Sequence, residues 1–369
     1  MAEQYTNSIS RSRKRKRKSY SGRELTLLLL DAVATIAMPI LLFCSLTIII
    51  CQYISPEKSG VLSVMALGAP VVYLLDIIIM FYWVVRWRWY RALTMIVIVL
   101  LGLLYLSRYY KVELDRKYDT KVVEHRFTKI MTYNVRDGKA EGLAEYIKSH
   151  NPDILCVQDM NIGYNNWNTL ADTYKTTYAP NVGAGGSQIL SRFRIIRSGM
   201  IDSLDRKSCV WADLKVKDDT IRVINLHLHT TSISVEDTQF IEKHEYIRDN
   251  DRNGKLRSIV DRLVTNNRKR AVQAEVVAEF ITKSPYKTIV CGDFNDVPIS
   301  YTYNLIARDL HDTFSKVANG LAYTYDTKYP LLRIDHILVS PSIEVTSYEV
   351  DNEARFSDHY PVISRVKFN

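Results

Sequence analysis

Cysteine is scarce in this 369-residue chain, and the five present form no pattern. Cys44 and Cys51 lie in an apolar N-terminal run, while Cys156, Cys209 and Cys291 fall in separate strand-like stretches. No spacing suits a zinc site, and three thiols in a large domain make no disulfide framework. Small buried hydrophobes are the expectation for all three. Excess charge of one sign is also missing from most of the chain. The formal net charge is +9, but residues 1–110 hold 13 Lys+Arg against 5 Asp+Glu, which leaves 36 basic and 35 acidic residues in 111–369. A nearly neutral domain carries no electrostatic footprint for a polyanion. There is no internal repeat and no low-complexity segment beyond a basic tail. The stretch Gly183-Ala184-Gly185-Gly186-Ser187-Gln188 completes no nucleotide-binding fingerprint, so its glycines are expected to form turns.

Long apolar runs are what the N-terminal third does have. The tail, Arg11-Ser12-Arg13-Lys14-Arg15-Lys16-Arg17-Lys18, is a block of like charge and is expected to be disordered. Leu25 to Ile54 is apolar apart from Asp31, Pro39 and a few small polar residues. Val61 to Val85 follows, with Asp76 inside it, and Ala92 to Leu106 is a shorter third run. About 20 apolar residues span a bilayer. The expectation is a basic cytoplasmic tail over 1–24 and three transmembrane helices within 25–107, making the lipid bilayer a partner. Trp87, Trp89 and Tyr90 read as one interfacial belt, and Tyr105, Tyr109 and Tyr110 as the opposite one. The tail and the loop Arg86–Arg91 are basic, whereas Cys51–Gly60 carries only Lys58. The positive-inside rule then puts the tail in the cytoplasm and everything after Ser107 on the far side. Asp31 is near a helix end, where snorkelling accounts for it. Asp76 is more central and is a candidate intramembrane functional carboxylate.

From about Lys121 the texture changes to short β-branched runs alternating with amphipathic stretches. Phe127–Tyr133, Ile154–Gln158, Gln188–Leu190, Val210–Val216, Ile221–Leu228, Thr288–Cys291 and His336–Val339 read as strands. Gly138–Ser149, Lys269–Thr282 and Ser300–Leu310 read as helices. This predicts an α/β domain over 126–369 behind a linker at 108–125. An insertion over 229–268, with Phe240, Ile241, Tyr246, Ile247, Leu256, Ile259 and Leu263, reads equally as a solvated helical hairpin or a substrate lid.

Polar residues recur at one end of these strands: Asn134 in Thr132-Tyr133-Asn134-Val135-Arg136, Gln158-Asp159, Asn225 and His227 in Ile224-Asn225-Leu226-His227, Asp293 and Asn295 in Gly292-Asp293-Phe294-Asn295, Asp335 in Arg333-Ile334-Asp335-His336, and Asp358-His359. Singly, each has an ordinary use as a turn cap or a structural histidine. Together they form an oxygen-rich set without thiolates, which suits Mg²⁺ or Mn²⁺ rather than zinc. Such a cation beside histidines can activate water against a phosphorus ester.

That ordered set resembles the endonuclease/exonuclease/phosphatase superfamily over roughly residues 125–369. The resemblance implies a four-layer α/β sandwich, two central sheets flanked by helices, with the site at one edge. It implies Asn134, Asp159 and Asp358 at a metal, His359 as general base polarised by Asp335, and Asp293 orienting the nucleophilic water. Asn295 and His227 would hold the phosphoryl oxygens, with Asn225 supporting His227 at the substrate. Two departures stand out. Asp159 occupies a position where the family usually has Glu, one methylene longer, and His336 stands where it often has Tyr.

The function expected is therefore a membrane-anchored, metal-dependent phosphoester hydrolase. An extracytoplasmic nuclease and a non-catalytic membrane-anchored binding protein are the alternatives; the sequence calls for no obligate oligomer. The topology is testable directly. A reporter fused after Asn369 should be active only outside the cytoplasm. Activity only in the cytoplasm would mean that one run, first of all Ala92–Leu106, does not cross.

Overall fold

The computed structural model describes residues 21–111, 127–174, 176–180, 185–201, 203–205, 208–231, 237, 240, 252–327 and 332–368. The basic tail and most of the linker lie outside the described residues. The first apolar run forms α1 (Gly22–Cys51), capped by Ser21 and Glu24 in a reciprocal capping box. The second does not continue as one straight rod. It starts as α2 (Gly60–Met65), tightens to a 3₁₀ turn at Ala66–Gly68, and resumes as α3 (Ala69–Val85) with Pro at its start. Pro70 has no N–H to give to the preceding turn and fits best where a helix begins. The third run forms α4 (Trp89–Leu106).

Three membrane-crossing helices were the expectation, and two meet the length and hydropathy required: Gly22–Cys51 and Gly60–Val85. The third is a shorter apolar helix among the described residues, Trp89–Leu103. The two acidic residues within the apolar runs, Asp31 and Asp76, have local partners. Asp31 receives Arg86 through Nε at 2.8 Å and Nη2 at 2.6 Å, and the Tyr82 hydroxyl at 2.6 Å. Asp76 is fully buried and accepts from the Ser45 hydroxyl on α1. Each carboxylate thus ties α1 to α3.

The larger domain has two six-stranded sheets. One runs β13 (Ile343–Val350), β14 (Val362–Phe368), β2 (Thr128–Asp137), β3 (Ile154–Met160), β5 (Gly186–Ser191), β4 (Thr176–Tyr178). The other runs β10 (His311–Asp312), β12 (Asp335–Val339), β9 (Lys287–Asp293), β8 (Asp219–His227), β7 (Cys209–Val216), β6 (Arg194–Met200). Only β2–β3 and β8–β9 are parallel pairs.

Side chains alternate across a strand, and the alternation builds the layers. Ile130, Ile154, Cys156, Val223, Ile289 and Cys291 face the space between the sheets. Their neighbours Met131, Tyr133, Leu155 and Val157 face outward onto α5 (Leu143–His150) and α6 (Asn165–Thr173). Ile224, Leu226, Val290 and Leu338 face α7 (Arg252–Thr282) and α8 (Tyr301–Ile306). The result is the four-layer sandwich. Cys156, Cys209 and Cys291 are buried and free, as expected.

The two parts of the chain pack directly on each other. Ile48 and Cys51 of α1, Ala66, Ala69 and Tyr73 form one buried cluster with Val297, Ile299 and Ile334. What was expected to be the start of a linker is docked: Tyr110-Lys111 (β1) pair with Gly320-Leu321 (β11). The 229–268 insertion is also docked where it is described. Phe240, Ile259 and Leu263 bury themselves with Val64 and Leu67, so these residues are neither solvated nor a free lid. Tyr246 and Ile247 lie outside the described residues.

Candidate active site

The strand faces that fill the space between the sheets turn polar at one end. On β2 the sequence Ile130, Thr132, Asn134 shares one face; on β3 it is Ile154, Cys156, Gln158; on β8, Val223, Asn225, His227; on β9, Ile289, Cys291, Asp293. Because β12 runs antiparallel to β9 with Asp335 opposite Asp293, its first residue lands at the same edge. Period-two alternation alone therefore delivers Asn134, His227, Asp293 and Asp335 to one mouth.

Asp293 is the focus. It is 1% exposed, and its Oδ2 accepts from Asn134 Nδ2 at 3.1 Å and Asn295 Nδ2 at 3.0 Å. Its Oδ1 accepts from the Asn295 backbone N–H at 2.8 Å. The same Oδ2 lies 3.7 Å from His227 Nε2 and 3.8 Å from His359 Nε2. Gly292, just before it, holds φ +132, and a Cβ there would sit 2.0 Å from the Leu226 carbonyl oxygen. Only glycine lets β9 approach β8 this closely.

His359 donates through Nδ1 to Asp335 Oδ2 at 3.0 Å, which leaves Nε2 turned toward Asp293. Burial disfavours charge on this imidazole, but the adjacent Asp335 and Asp293 carboxylates outweigh it and raise its basicity above that of an ordinary histidine. Asp335, wholly buried, is pushed up by desolvation, against the pull of His359.

Asp159 and Asp358 stand at the more open rim, with side chains 39% and 33% exposed. Asp159 adopts φ +60 and approaches His227 Nδ1 at 3.9 Å. Gly185, at φ +79, lies against its carboxylate; a Cβ would be 2.8 Å from Oδ1. Residues 183 and 184 of the glycine-rich stretch lie outside the described residues. Asn134 Oδ1 accepts the Arg136 N–H at 3.1 Å. Asn134, Asp159 and Asp358 offer hard oxygen donors without a thiolate, and such a set fits Mg²⁺ or Mn²⁺. Asp293, Asp335 and His359 form a cluster whose ligand atoms lie within 4.8 Å of one another. Two of the three, Asp335 and His359, are hydrogen-bonded to each other.

Asn225 is not at the mouth. It is 0% exposed, accepts from Gln158 Nε2 at 2.6 Å, and donates to the Val157 and Gln188 carbonyls at 2.8 Å each. With Thr132, which also accepts a hydrogen bond from Gln158 Nε2 at 2.9 Å, it forms a polar plug joining the sheets beneath the site. His336, too, is turned away. It lies between Phe294 and Tyr303, accepts from Arg333 at Nδ1, 3.1 Å, and donates from Nε2 to the Asp296 carbonyl, 3.3 Å.

Three residues at or beside the site escaped the sequence argument. Arg136, at φ +43, lies 3.6 Å from Asp358 Oδ2. Tyr325 pairs with His359 as an isolated bridge, and its ring meets the imidazole edge-on at 4.9 Å. Asp296 is held by Arg270, 3.5 Å away and almost fully buried. Arg136 follows Asn134 closely enough for its place to be guessed. Tyr325 sits in irregular chain and Arg270 in a helix, where no periodicity marks them.

Burial and the Arg333 guanidinium lower the His336 imidazole to about 3. Between pH 6.5 and about 3 the unfolded chain takes a proton there that the folded chain refuses, so stability falls with acid by about 1.4 kcal/mol per pH unit. His229 and His311 are lowered also and act in the same direction. His359 is raised and adds no slope below pH 6.5. The raised Asp335 carboxyl acts in the opposite direction over part of this range, so the test is the difference between proteins: His336→Gln, which keeps an acceptor and a donor, should lose less melting temperature, or gain more, from pH 6.5 to 5 than the wild type. An unchanged slope in the variant would refute the assignment.

The profile of the endonuclease/exonuclease/phosphatase family matches residues 131–359, and that of a domain of unknown function matches residues 31–109. No curated protein matches the chain. Among solved structures, an endonuclease/exonuclease/phosphatase family protein from Bacteroides thetaiotaomicron is similar at 20% identity and TM-score 0.46, covering 66% of this chain and 98% of that one. A 3′ phosphatase from Neisseria bound to a product DNA hairpin gives 20% identity and TM-score 0.46, over 66% and 99%. A mannosyl-6-phosphatase from Bacteroides thetaiotaomicron gives 19% and 0.44, over 65% and 100%. With its match extending from β2 to His359, the chain belongs to the endonuclease/exonuclease/phosphatase family of phosphoester-hydrolysing enzymes.

Proposed function

We propose that this protein is a membrane-anchored, divalent-metal-dependent hydrolase whose phosphoester substrate is itself associated with the membrane. One observation carries the proposal: the segment that follows Asp293 and Asn295 is buried, through Val297 and Ile299, against the end of α1 and the start of α3. The mouth of the site is thereby held within a few residues of helices long and apolar enough to enter a bilayer. Holding it there raises the effective concentration of lipid headgroups. The near-neutral catalytic domain argues against duplex DNA, whose binding rests on neutralising many phosphates. Arg270, which could have added to a basic face, is buried instead.

The metal would sit at Asn134, Asp159 and Asp358, where it supplies charge neutralisation at phosphorus and acidifies water. His359 takes the proton of the attacking water at Nε2, with Asp335 fixing its tautomer. Asp293 orients that water, and Asn295 and His227 donate to the phosphoryl oxygens, Asn295 by giving up one of its present acceptors, Asp293 Oδ2 and the Leu228 carbonyl. Asn225 supports this group from beneath through the Gln158 plug. The Lys/Arg asymmetry of the N-terminal segment supports a catalytic domain outside the cytoplasm, opposite the basic tail.

Asp293→Ala and His359→Ala should each lower kcat by at least about 10²-fold. Excess EDTA should abolish turnover, and Asp159→Glu should retain or raise it. Full activity of metal-stripped protein would sink the metal-dependent scheme. The substrate class is decided by kcat/KM of the full chain for phospholipid vesicles against DNA at physiological salt. Efficient duplex cutting with no phospholipid turnover would replace this proposal with an extracytoplasmic nuclease. No turnover of any phosphoester would favour a binding protein.

A further inference from the structure

Between the N-terminal helices and the catalytic loop runs a buried polar relay that the reaction scheme does not use. Its first member is Ser63 on α2, whose hydroxyl accepts from Asn267 Nδ2 at 2.7 Å and donates to the Gly60 carbonyl at 2.6 Å. Asn267, on α7, is 3% exposed and turns its Oδ1 to Arg270 Nη2. Arg270 is 1% exposed. Its Nη1 donates to the His229 carbonyl at 2.7 Å, and its Nε lies 3.5 Å from Asp296 Oδ2. Asp296 directly follows Asn295, and His229 lies two residues after His227. The relay therefore ends on both chain segments that carry the phosphoryl-contacting side chains.

A buried guanidinium keeps its position only while acceptors surround it. Here they come from three places: the helix itself, the exit of β8 and the catalytic loop. The side-chain amide of Asn267 is divided, with one end on Arg270 and the other on α2. Close packing at the same junction leaves no slack, since a Cβ on Gly60 would lie 2.2 Å from Val264 Cγ1. A second, separate tie runs beside it. Arg108, just beyond α4, donates to the Pro298 carbonyl at 3.1 Å, and Asn304 Nδ2 donates to the Gln52 carbonyl at 3.3 Å.

We propose that Asn267 is a positioning residue: joining Ser63 to Arg270, it makes the N-terminal helices part of the support of the catalytic loop. The anchor is then not only a tether, and the catalytic domain depends on it for the geometry of Asn295 and His227. This rests on the hydrolase proposal for its kinetic readout but not for its structural one.

The test uses the full chain in lipid nanodiscs with Mg²⁺, with bis(p-nitrophenyl) phosphate as the probe. Asn267→Ala and Ser63→Ala should each lower kcat by about tenfold or more with KM nearly unchanged, since small misplacements of catalytic groups cost rate rather than binding. The double variant should lose little more than either single one, because both break the same connection. Lys269→Ala, exposed on the same helix, should behave as wild type. Amide hydrogen exchange over residues 293–300 should quicken in both single variants. A lowered melting temperature with unchanged kcat and unchanged exchange would overturn the inference, as would losses that simply add. Should wild type fail to turn over the probe, the hydrolase proposal suffers alone, and the exchange comparison still decides the relay.

Discussion

A carboxylate buried between two β-sheets must be surrounded by donors, and most of the site follows from meeting that demand for Asp293. Water is excluded from it, so an unpaired charge there would be costly. Asn134 reaches it from one sheet, and Asn295 reaches it from the turn after β9 with both backbone and side chain. Two imidazoles complete the ring at slightly longer range. The sheets are held in register beneath by Asn225 and Gln158, whose amides bond across the gap. Gly292 sets the spacing of β8 and β9 that places His227 opposite Asp293. A site made this way is a property of the sandwich rather than of any single loop.

The N-terminal helices obey the opposite economy. Their surfaces are mostly exposed apolar side chains, including Leu29, Ile36, Phe43, Phe81 and Leu100. Polar groups appear where helix meets helix: Asp31 with Arg86 and Tyr82, Asp76 with Ser45. In an apolar medium a polar group is tolerated where it finds such a partner. Gly102 serves the same packing by leaving room for Tyr73, since a Cβ there would lie 2.5 Å from the ring. At their far ends the helices change partners and meet the catalytic domain, so one chain passes from an exposed apolar pattern to a buried interface within a turn or two.

Much of the larger domain is legible in the sequence because alternation and strand-end polarity are local signals. β2, β3, β8 and β9 fall where β-branched runs place them, and their terminal Asn, His and Asp residues are the ones that converge. The short pieces β1, β10 and β11, two residues each, have no run to reveal them. The family resemblance implies Asn225 at the substrate, in support of His227, two residues on. That spacing shares a face, but the face dives into the core one residue pair earlier. The split of Val61–Val85 was also hidden, since hydropathy is continuous across Gly68 and Pro70 while the backbone is not. Arg268-Lys269-Arg270 looks like a basic patch in sequence, yet one helical face takes Arg270 inward and leaves Lys269 outside. Such outcomes depend on what packs against a helix, which no local pattern contains.

The free thiols have a consequence for chemical durability. Burial pushes the Cys209 and Cys291 thiols far above their ordinary range, and Cys291 lies beside Cys156 across the gap between the sheets. Oxidation and disulfide exchange proceed through the thiolate and need access. With neither available, these sulfurs behave as hydrocarbon. The folded domain can then tolerate an oxidant-rich surrounding with its thiols unpaired, and mispairing becomes a hazard of the unfolded chain only.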